Sequence, residues 1–366
     1  MIRFNTIEEA IEDFRNGKII IVVDNEDREN EGDFICAAET ISPEIVNFMA
    51  TEGRGLICAP LDEKRADSLN LPLMVRNNTS LHETAFTVSV DLIGHGCTTG
   101  ISAFDRALTI KSLADFKFVD SDFARPGHIF PLRAKSGGVL QRTGHTEAVV
   151  DLAKLAGMTP AGALVEILNE DGSMARLPDL ILKAEKLNLK IISINDLVEY
   201  RLRSERLVVV DKIMERMIHG HSMKLIQYRQ TNSGDIHVAL VKGKADPEKT
   251  AMVRVQHADI FSELMDLFVD SENSSLARSF KVISEADFGV ILLLTSKDQS
   301  WQPFFKFDSN GTQDIHRNEQ QQREIGIGAQ ILNDLGVRKM EIVSNTPRKT
   351  IALQAYGLEI TGYKSF

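Results

Sequence analysis

The run Lys18-Ile-Ile-Ile-Val-Val23 does most to limit what this chain can fold into. Five consecutive β-branched residues with no polar alternation read as a strand buried on both faces. Ahead of it, Thr6-Ile-Glu-Glu9 has the T-x-x-E pattern of a capping box, so a helix is expected to start there and to stop at Gly17. Directly after the strand, six of the ten residues from Asp24 to Asp33 are carboxylates, with Arg28 among them. A helix, a two-sided strand and a polar loop together open an α/β layer, and such layers gather ligands at strand ends.

The alternation continues. Strand-like runs are expected at Phe34–Ala38, Gly55–Leu61, Thr84–Asp91, His128–Ala134, Gly162–Leu168 and Leu189–Ile194. Helical spacing falls between them, at Ser42–Gly53, Ser102–Asp115, His145–Gly157, Pro178–Asn188 and Asn195–Arg203, with a glycine-rich loop at Lys135–Gly144. A second series follows. It has strands near 235–243, 289–296 and 339–347, helices near 259–269 and within 316–336, and a long stretch at 296–322 without a clear period. The expected fold is α/β (mixed α+β) in two domains, 1–201 and 202–366, each a mixed sheet packed by helices.

Composition narrows the function. The formal net charge of −10 argues against bulk attraction to nucleic acid or an anionic membrane, while leaving room for a basic pocket that takes one small phosphate. No apolar run approaches the length of a membrane span. The N-terminus is acidic and amphipathic rather than signal-like, and three cysteines are too few for a disulfide framework, so a cytoplasmic protein is expected.

Three clusters carry chemistry. The acidic run alone also fits a solvated loop. Its place at the end of a buried strand, its Gly32 and its density of like charge favour a divalent cation such as Mg²⁺, which takes one or two carboxylates plus substrate oxygens. The second cluster holds Arg125, His128, Arg142, Thr143, Gly144, His145, Thr146 and Glu147. Glycines let backbone N–H groups approach a ligand, and a helix starting near 143–145 favours an anion, so a phosphate site is expected. A capped helix with a basic start is the plainer alternative, and either histidine alone also fits a structural role. The third is Glu166, a carboxylate inside an apolar strand, which is costly unless paired or functional. Carboxylates, two histidines, a phosphate cradle and a metal suit enolisation of a phosphorylated ketose. They do not choose between isomerase, aldolase and rearrangement.

In order along the first 200 residues stand DNEDRENEGD, NNTS, TAFTVSVD, TTGISAFDRA, RPGHIFPLRAKSGGVLQRTGHTEA and GMTPAGALVEILNEDGSMAR. This set resembles the 3,4-dihydroxy-2-butanone 4-phosphate synthase family of riboflavin synthesis. The resemblance implies a lyase that converts D-ribulose 5-phosphate to the four-carbon phosphate and formate with Mg²⁺ or Mn²⁺, typically as a homodimer with sites near the subunit interface. It implies Glu29 and His145 as metal ligands, and His128 and Glu166 as residues essential to proton transfer. Arg28, Glu29, Asp33, Glu166 and the segment Arg142, Thr143, Gly144, His145 and Thr146 are implied as substrate contacts. Cys58 falls where the family has a pocket cysteine, though a small buried apolar residue fits that position equally.

The second half is similar to a GTP cyclohydrolase II domain in MVRVQHADIF, DFGVILLL and LGVRKMEIVSNTPRKTIALQAYGLEI. It departs from that family where zinc-binding cysteines are expected: Asp259, Asp270 and Glu272 stand there, and all three cysteines lie before residue 98. The glycine-rich segment expected after GVILLL is replaced by TSKDQSW. Gln321 stands for a catalytic aspartate, while its partner Arg323 is kept. The expectation is a second domain without zinc and without activity. The alternatives are a bifunctional enzyme that still opens GTP, or a non-catalytic binding protein.

Overall fold

The structure, a computed structural model of the chain, describes residues 4–26, 28–80, 84–246, 249–257, 275–295, 315–345 and 356–366. It divides into two compact units, Met1–Tyr200 and Arg201–Phe366. Each is a mixed β-sheet packed by helices.

The first unit opens with helix α1 (Ile7–Arg15), and its capping box forms: Thr6 Oγ1 accepts from Glu9 N–H while Glu9 accepts from Thr6 N–H. Gly17 follows with φ +74°. Strand β1 (Ile20–Val23) is buried at all four positions. Next come β2 (Gly32–Ala37), α2 (Pro43–Phe48), β3 (Cys58–Leu61), α3 (Glu63–Ser68), β4 (Val90–Leu92) and α4 (Ala103–Ala114). The unit continues through β5 (Phe123–Arg133), α5 (His145–Leu155), β6 (Gly162–Glu166), α6 (Leu177–Leu187), β7 (Ile191–Ser193) and the part of α7 (Ile194–Ser204) up to Tyr200. The sheet order is β4-β5-β3-β6-β2-β1-β7. The β1–β7 and β3–β5 pairs are parallel and the others antiparallel. Ile21, Phe34, Ala59 and Val165 fill the core, and α5 packs on β2, β3 and β6. Each large side chain buried there contributes about 1.5–3 kcal/mol.

Two differences from the sequence expectations matter to the site. Strand β2 begins at Gly32, so Asp33 belongs to the sheet and not to the acidic loop. The strand expected over Thr84–Asp91 shrinks to β4, because Thr87 N–H donates to the Pro131 carbonyl and Val88 N–H to that of Pro72, outside any regular ladder.

The second unit holds β8 (Val208–Ile218), β9 (His221–Gln230), β10 (Ile236–Lys242), β11 (Thr250–His257), α8 (Ser275–Ser284) and β12 (Gly289–Leu294), then α9 (Ile315–Asp334), β13 (Lys339–Val343) and β14 (Glu359–Lys364). Its sheet order is β14-β13-β11-β12-β10-β9-β8, with parallel pairs from β12 through β14 and antiparallel pairs from β8 through β12. Ile283, Ile291 and Val343 centre one of its core clusters. The helix expected at 259–269 and the positions of Asp259, Asp270 and Glu272 lie outside the described residues. So does TSKDQSW after its Thr295. Gln321 and Arg323 fall in α9, where their side chains are outside the description.

Candidate active site

Asp24 is the first residue after β1, and the acidic loop winds around it. Its side chain is fully buried. One oxygen accepts from Glu31 N–H (2.8 Å), and the other from Glu29 N–H and Arg28 Nη1 (3.0 Å each). Arg28 also pairs with Glu29 Oε1 at 3.0 Å, so its charge is spent on two loop carboxylates. From the other side, Arg176 Nη1 donates to the carbonyl of Glu29 (2.9 Å) and to that of Asn30, a residue held at φ +55°.

His145 opens α5 behind its N-cap Gly144. Nε2 lies 3.1 Å from the carbonyl of Val22 on β1. A carbonyl only accepts, so Nε2 carries the hydrogen and the lone pair of Nδ1 is left facing Glu29 Oε2 at 3.9 Å and Asp33 Oδ2 at 4.0 Å. Burial pushes the His145 pKa down, against the pull of Asp24 and Glu29, and so favours the neutral ring. Neutral imidazole with its far nitrogen fixed by a carbonyl is the form that ligates metals. Asp24, Glu29 and His145 each bring a ligand atom within 4.8 Å of the others. The 3.9 Å between Glu29 Oε2 and His145 Nδ1 is less than two Mg–ligand bonds of about 2.1 Å each, so the set fits a hard divalent cation.

Asp33 on β2 stands opposite Glu166 on β6 in the ladder. Asp33 is 3% exposed. Burial, then Glu166, Glu29, Glu31 and Asp24, hold its carboxyl well above the usual range. Glu166 is not inside the strand as expected. It is the last residue of β6, half-buried, and its Oε2 accepts from Leu56 N–H at 2.8 Å. Cys58 is buried at the start of β3, and burial, with Glu166 and Asp33 adding to it, pushes its thiol well up. It therefore adjoins the carboxylate pair as a protonated thiol.

The loop before α5 is tied down by two carboxylates one helical turn apart. Glu147 accepts from Lys135 N–H (3.0 Å) and Arg142 Nη1 (2.7 Å), and Asp151 accepts from Val139 N–H (2.7 Å). Thr143 and Thr146 are buried beside His145. The first turn of α5 thus presents its N-terminus, with Arg142 beside it, at the carboxylate cluster.

His128 lies on β5, two residues before Phe130, which pairs with Cys58 on β3. Glu166 lies two residues beyond Leu164, which pairs with Cys58 from the other side. Both therefore sit at one end of the sheet with the β3 line between them. The structure brings Glu29, Asp33, His145 and Glu166 together and sets His128 on the far side of that end. Its Nδ1 is 2.6 Å from Asp91. The sequence reading passes over Asp24, Asp91 and Arg176. Position as first residue after a two-sided strand could have marked Asp24. Nothing local distinguishes the other two.

Residues 8–200 match the family model for 3,4-dihydroxy-2-butanone 4-phosphate synthase. The chain belongs to the 3,4-dihydroxy-2-butanone 4-phosphate synthase family. Residues 209–365 match the model for GTP cyclohydrolase II. The chain is 49% identical over 370 residues to the riboflavin biosynthesis protein RibBA of Cytophaga hutchinsonii, covering 98% of this chain and 91% of that one. It resembles the crystal structure of RibBX, a two-domain 3,4-dihydroxy-2-butanone 4-phosphate synthase from A. baumannii. The TM-score is 0.79 and the identity 39%, with 98% of this chain and 99% of that one covered. A 3,4-dihydroxy-2-butanone 4-phosphate synthase in complex with two magnesium ions matches 55% of this chain and 98% of its own, with TM-score 0.53 and 42% identity. These matches overturn the expectation of a second half without activity. Its family match is to GTP cyclohydrolase II, and relatives such as RibBA span both halves, so the bifunctional reading fits better. The missing thiolates do not decide the matter, because imidazole and carboxylate ligands also hold divalent metals.

Proposed function

We propose that the first unit converts D-ribulose 5-phosphate to 3,4-dihydroxy-2-butanone 4-phosphate and formate, as a cytoplasmic enzyme of riboflavin synthesis. The observation that carries this is the convergence of Glu29, His145 and Asp24 beside the Asp33–Glu166 pair. Glu29 and His145, with Asp24, would hold Mg²⁺ or Mn²⁺. The ion supplies polarisation of the sugar's carbonyl and hydroxyl oxygens. Arg142 and the first N–H groups of α5, those of His145 and Thr146, receive the phosphate. Asp33, whose carboxyl is held above the usual range by burial and by its carboxylate neighbours, can exchange a proton with a substrate oxygen, and Glu166 and His128 Nε2 take protons from the carbon skeleton. The buried residues of β1, β2 and β6 form an apolar floor beneath the cluster.

Two exposed apolar residues, Ile101 and Phe104, the latter 71% exposed, follow Gly100 in the chain. Gly100 beside them packs on Asp91 and His128. This supports a homodimer in which a second copy covers that edge.

The family match over 209–365 favours a second activity, opening of GTP with release of formate. Any metal there would be held without thiolate, since the cysteines are Cys36, Cys58 and Cys97. One experiment tests both. Purified full chain with Mg²⁺ is given ribulose 5-phosphate or GTP, and formate and the organic product are followed. No formate from ribulose 5-phosphate overturns the first reading. No formate from GTP, with Zn²⁺ also supplied, overturns the second.

A further inference from the structure

We infer that Asp91 is a positioning residue for His128: it fixes the ring's tautomer and direction, so that Nε2 is the nitrogen offered to substrate. The inference rests on the proposed role of His128 in proton transfer. The geometry begins in the β4–β5 ladder. Val90 pairs with Ile129 and the next residue, Asp91, with Ala124, so the four residues Arg125–His128 bulge out of the β4–β5 ladder. Bulges of this kind re-aim side chains beside active sites. This one is pinned at two points: Ser89 Oγ accepts from Gly127 N–H at 3.1 Å, and Asp91 Oδ1 accepts from His128 N–H at 2.8 Å. Gly127 has no alternative there, because a Cβ would run into the backbone of Val90.

The other oxygen of the same carboxylate, Oδ2, sits 2.6 Å from His128 Nδ1. Asp91 thus grips one residue by backbone and by ring. Gly100, at φ +90°, closes the third side: a Cβ at that position would meet the Asp91 carboxylate and His128 Nδ1. An ionised carboxylate only accepts, so Nδ1 carries the hydrogen and Nε2 is left with its lone pair. The ring cannot turn over without breaking the contact. When Nε2 takes a proton the ring gains a positive charge, the substrate keeps the electron pair as an enolate, and the Asp91 carboxylate faces the new charge at hydrogen-bond distance. Asp91 touches no substrate in this scheme and acts through His128 alone.

The test uses the full-length chain labelled with ¹⁵N-histidine, and D91N, D91E, H128N and the double variant D91N/H128N. In the parent protein, long-range ¹H–¹⁵N correlation should show His128, assigned by its loss in H128N, protonated at Nδ1 and bare at Nε2. In D91N the amide N–H₂ can face the ring, so the other tautomer should gain. Turnover of ribulose 5-phosphate should fall about 10²-fold or more in D91N, with KM within about twofold, as for a triad aspartate that sets a histidine tautomer. In the H128N background the same change should cost less than about twofold, because there is no ring left to orient. D91E keeps a carboxylate and should recover part of the loss, which covers the case that D91N folds poorly. Equal losses from D91N in both backgrounds, or an unchanged tautomer in D91N, would overturn the inference. A parent protein without turnover would overturn the proposed function instead, and the tautomer would still decide the role of Asp91.

Discussion

The Nε2 of His145 lies 3.1 Å from the carbonyl of Val22, and that contact decides which ring nitrogen faces the carboxylates. Val22 belongs to the buried strand and His145 to the first turn of α5, so sheet and helix are joined at the point where the acidic loop begins. The core therefore presets the His145 side of the ligand set, while the loop wound around Asp24 presets Glu29. Burial that keeps the ring neutral also keeps Nδ1 available.

His145→Gln and Glu29→Gln should each abolish metal-dependent formation of formate. Calorimetric titration with Mg²⁺ should show the loss of affinity directly. The melting temperature should stay within a few degrees of the parent, because neither change opens a cavity in the core. Mg²⁺ binding and turnover surviving in either variant would remove that residue from the ligand set.

Asp33 makes a prediction of opposite sign for stability. Its folded pKa is raised by burial first and then by its carboxylate neighbours. A raised acid binds its proton more tightly when folded. Its stabilising contribution is present below the unfolded pKa and is lost as pH climbs through the folded value. At neutral pH in metal-free protein, ionising Asp33 therefore opposes folding. Asp33→Asn should raise the melting temperature by a few degrees near pH 7, with a smaller gain near pH 4, while turnover falls about 10²-fold or more. A lower melting temperature at pH 7, measured with chelator present, would refute the assignment.

Much of this was legible in the chain. The β-branched run before Asp24 gave the two-sided strand, and the Thr6–Glu9 box gave the helix that leads to it, because both are local patterns. Glu29 and His145 could be matched to motifs, but their meeting depends on a pairing across more than a hundred residues. Asp24, Asp91 and Arg176 escaped for the same reason: each acts by holding backbone or a ring contributed from elsewhere. Glu166 stands in an apolar strand, as its neighbours suggest, but as the strand's last residue it is only half-buried, and a sequence does not show where a strand ends.

Arg176 is a case of that kind. Its guanidinium spans the carbonyls of Glu29 and Asn30 from outside the loop, opposite Asp24. Arg176→Gln shortens the reach and removes the charge. Amide exchange at Glu29–Glu31 should quicken, and Mg²⁺ affinity should drop about tenfold, with little change in melting temperature because the residue is exposed. Unchanged exchange in the metal-free protein would show that Asp24 alone sets the loop.

The last prediction separates phosphate binding from chemistry. Arg142 is held at 2.7 Å by Glu147, which is buried and also accepts from Lys135 N–H. Burial raises the Glu147 pKa, with Arg142 as the chief opposing influence, so the pair depends on each partner staying charged. Glu147→Gln keeps the size and one acceptor but removes the charge that fixes the guanidinium. Arg142 then loses the carboxylate that holds it at 2.7 Å, and its contribution to holding a dianionic phosphate is diluted. KM for ribulose 5-phosphate should rise about tenfold while kcat changes about threefold or less, since the carboxylates at the metal and proton-transfer positions are untouched. Glu147→Ala should instead lower stability by about 3 kcal/mol or more, because it removes a buried carboxylate paired with a partly buried guanidinium at 2.7 Å. A kcat loss that exceeds the KM change in Glu147→Gln would place Arg142 in the chemical step rather than in phosphate binding.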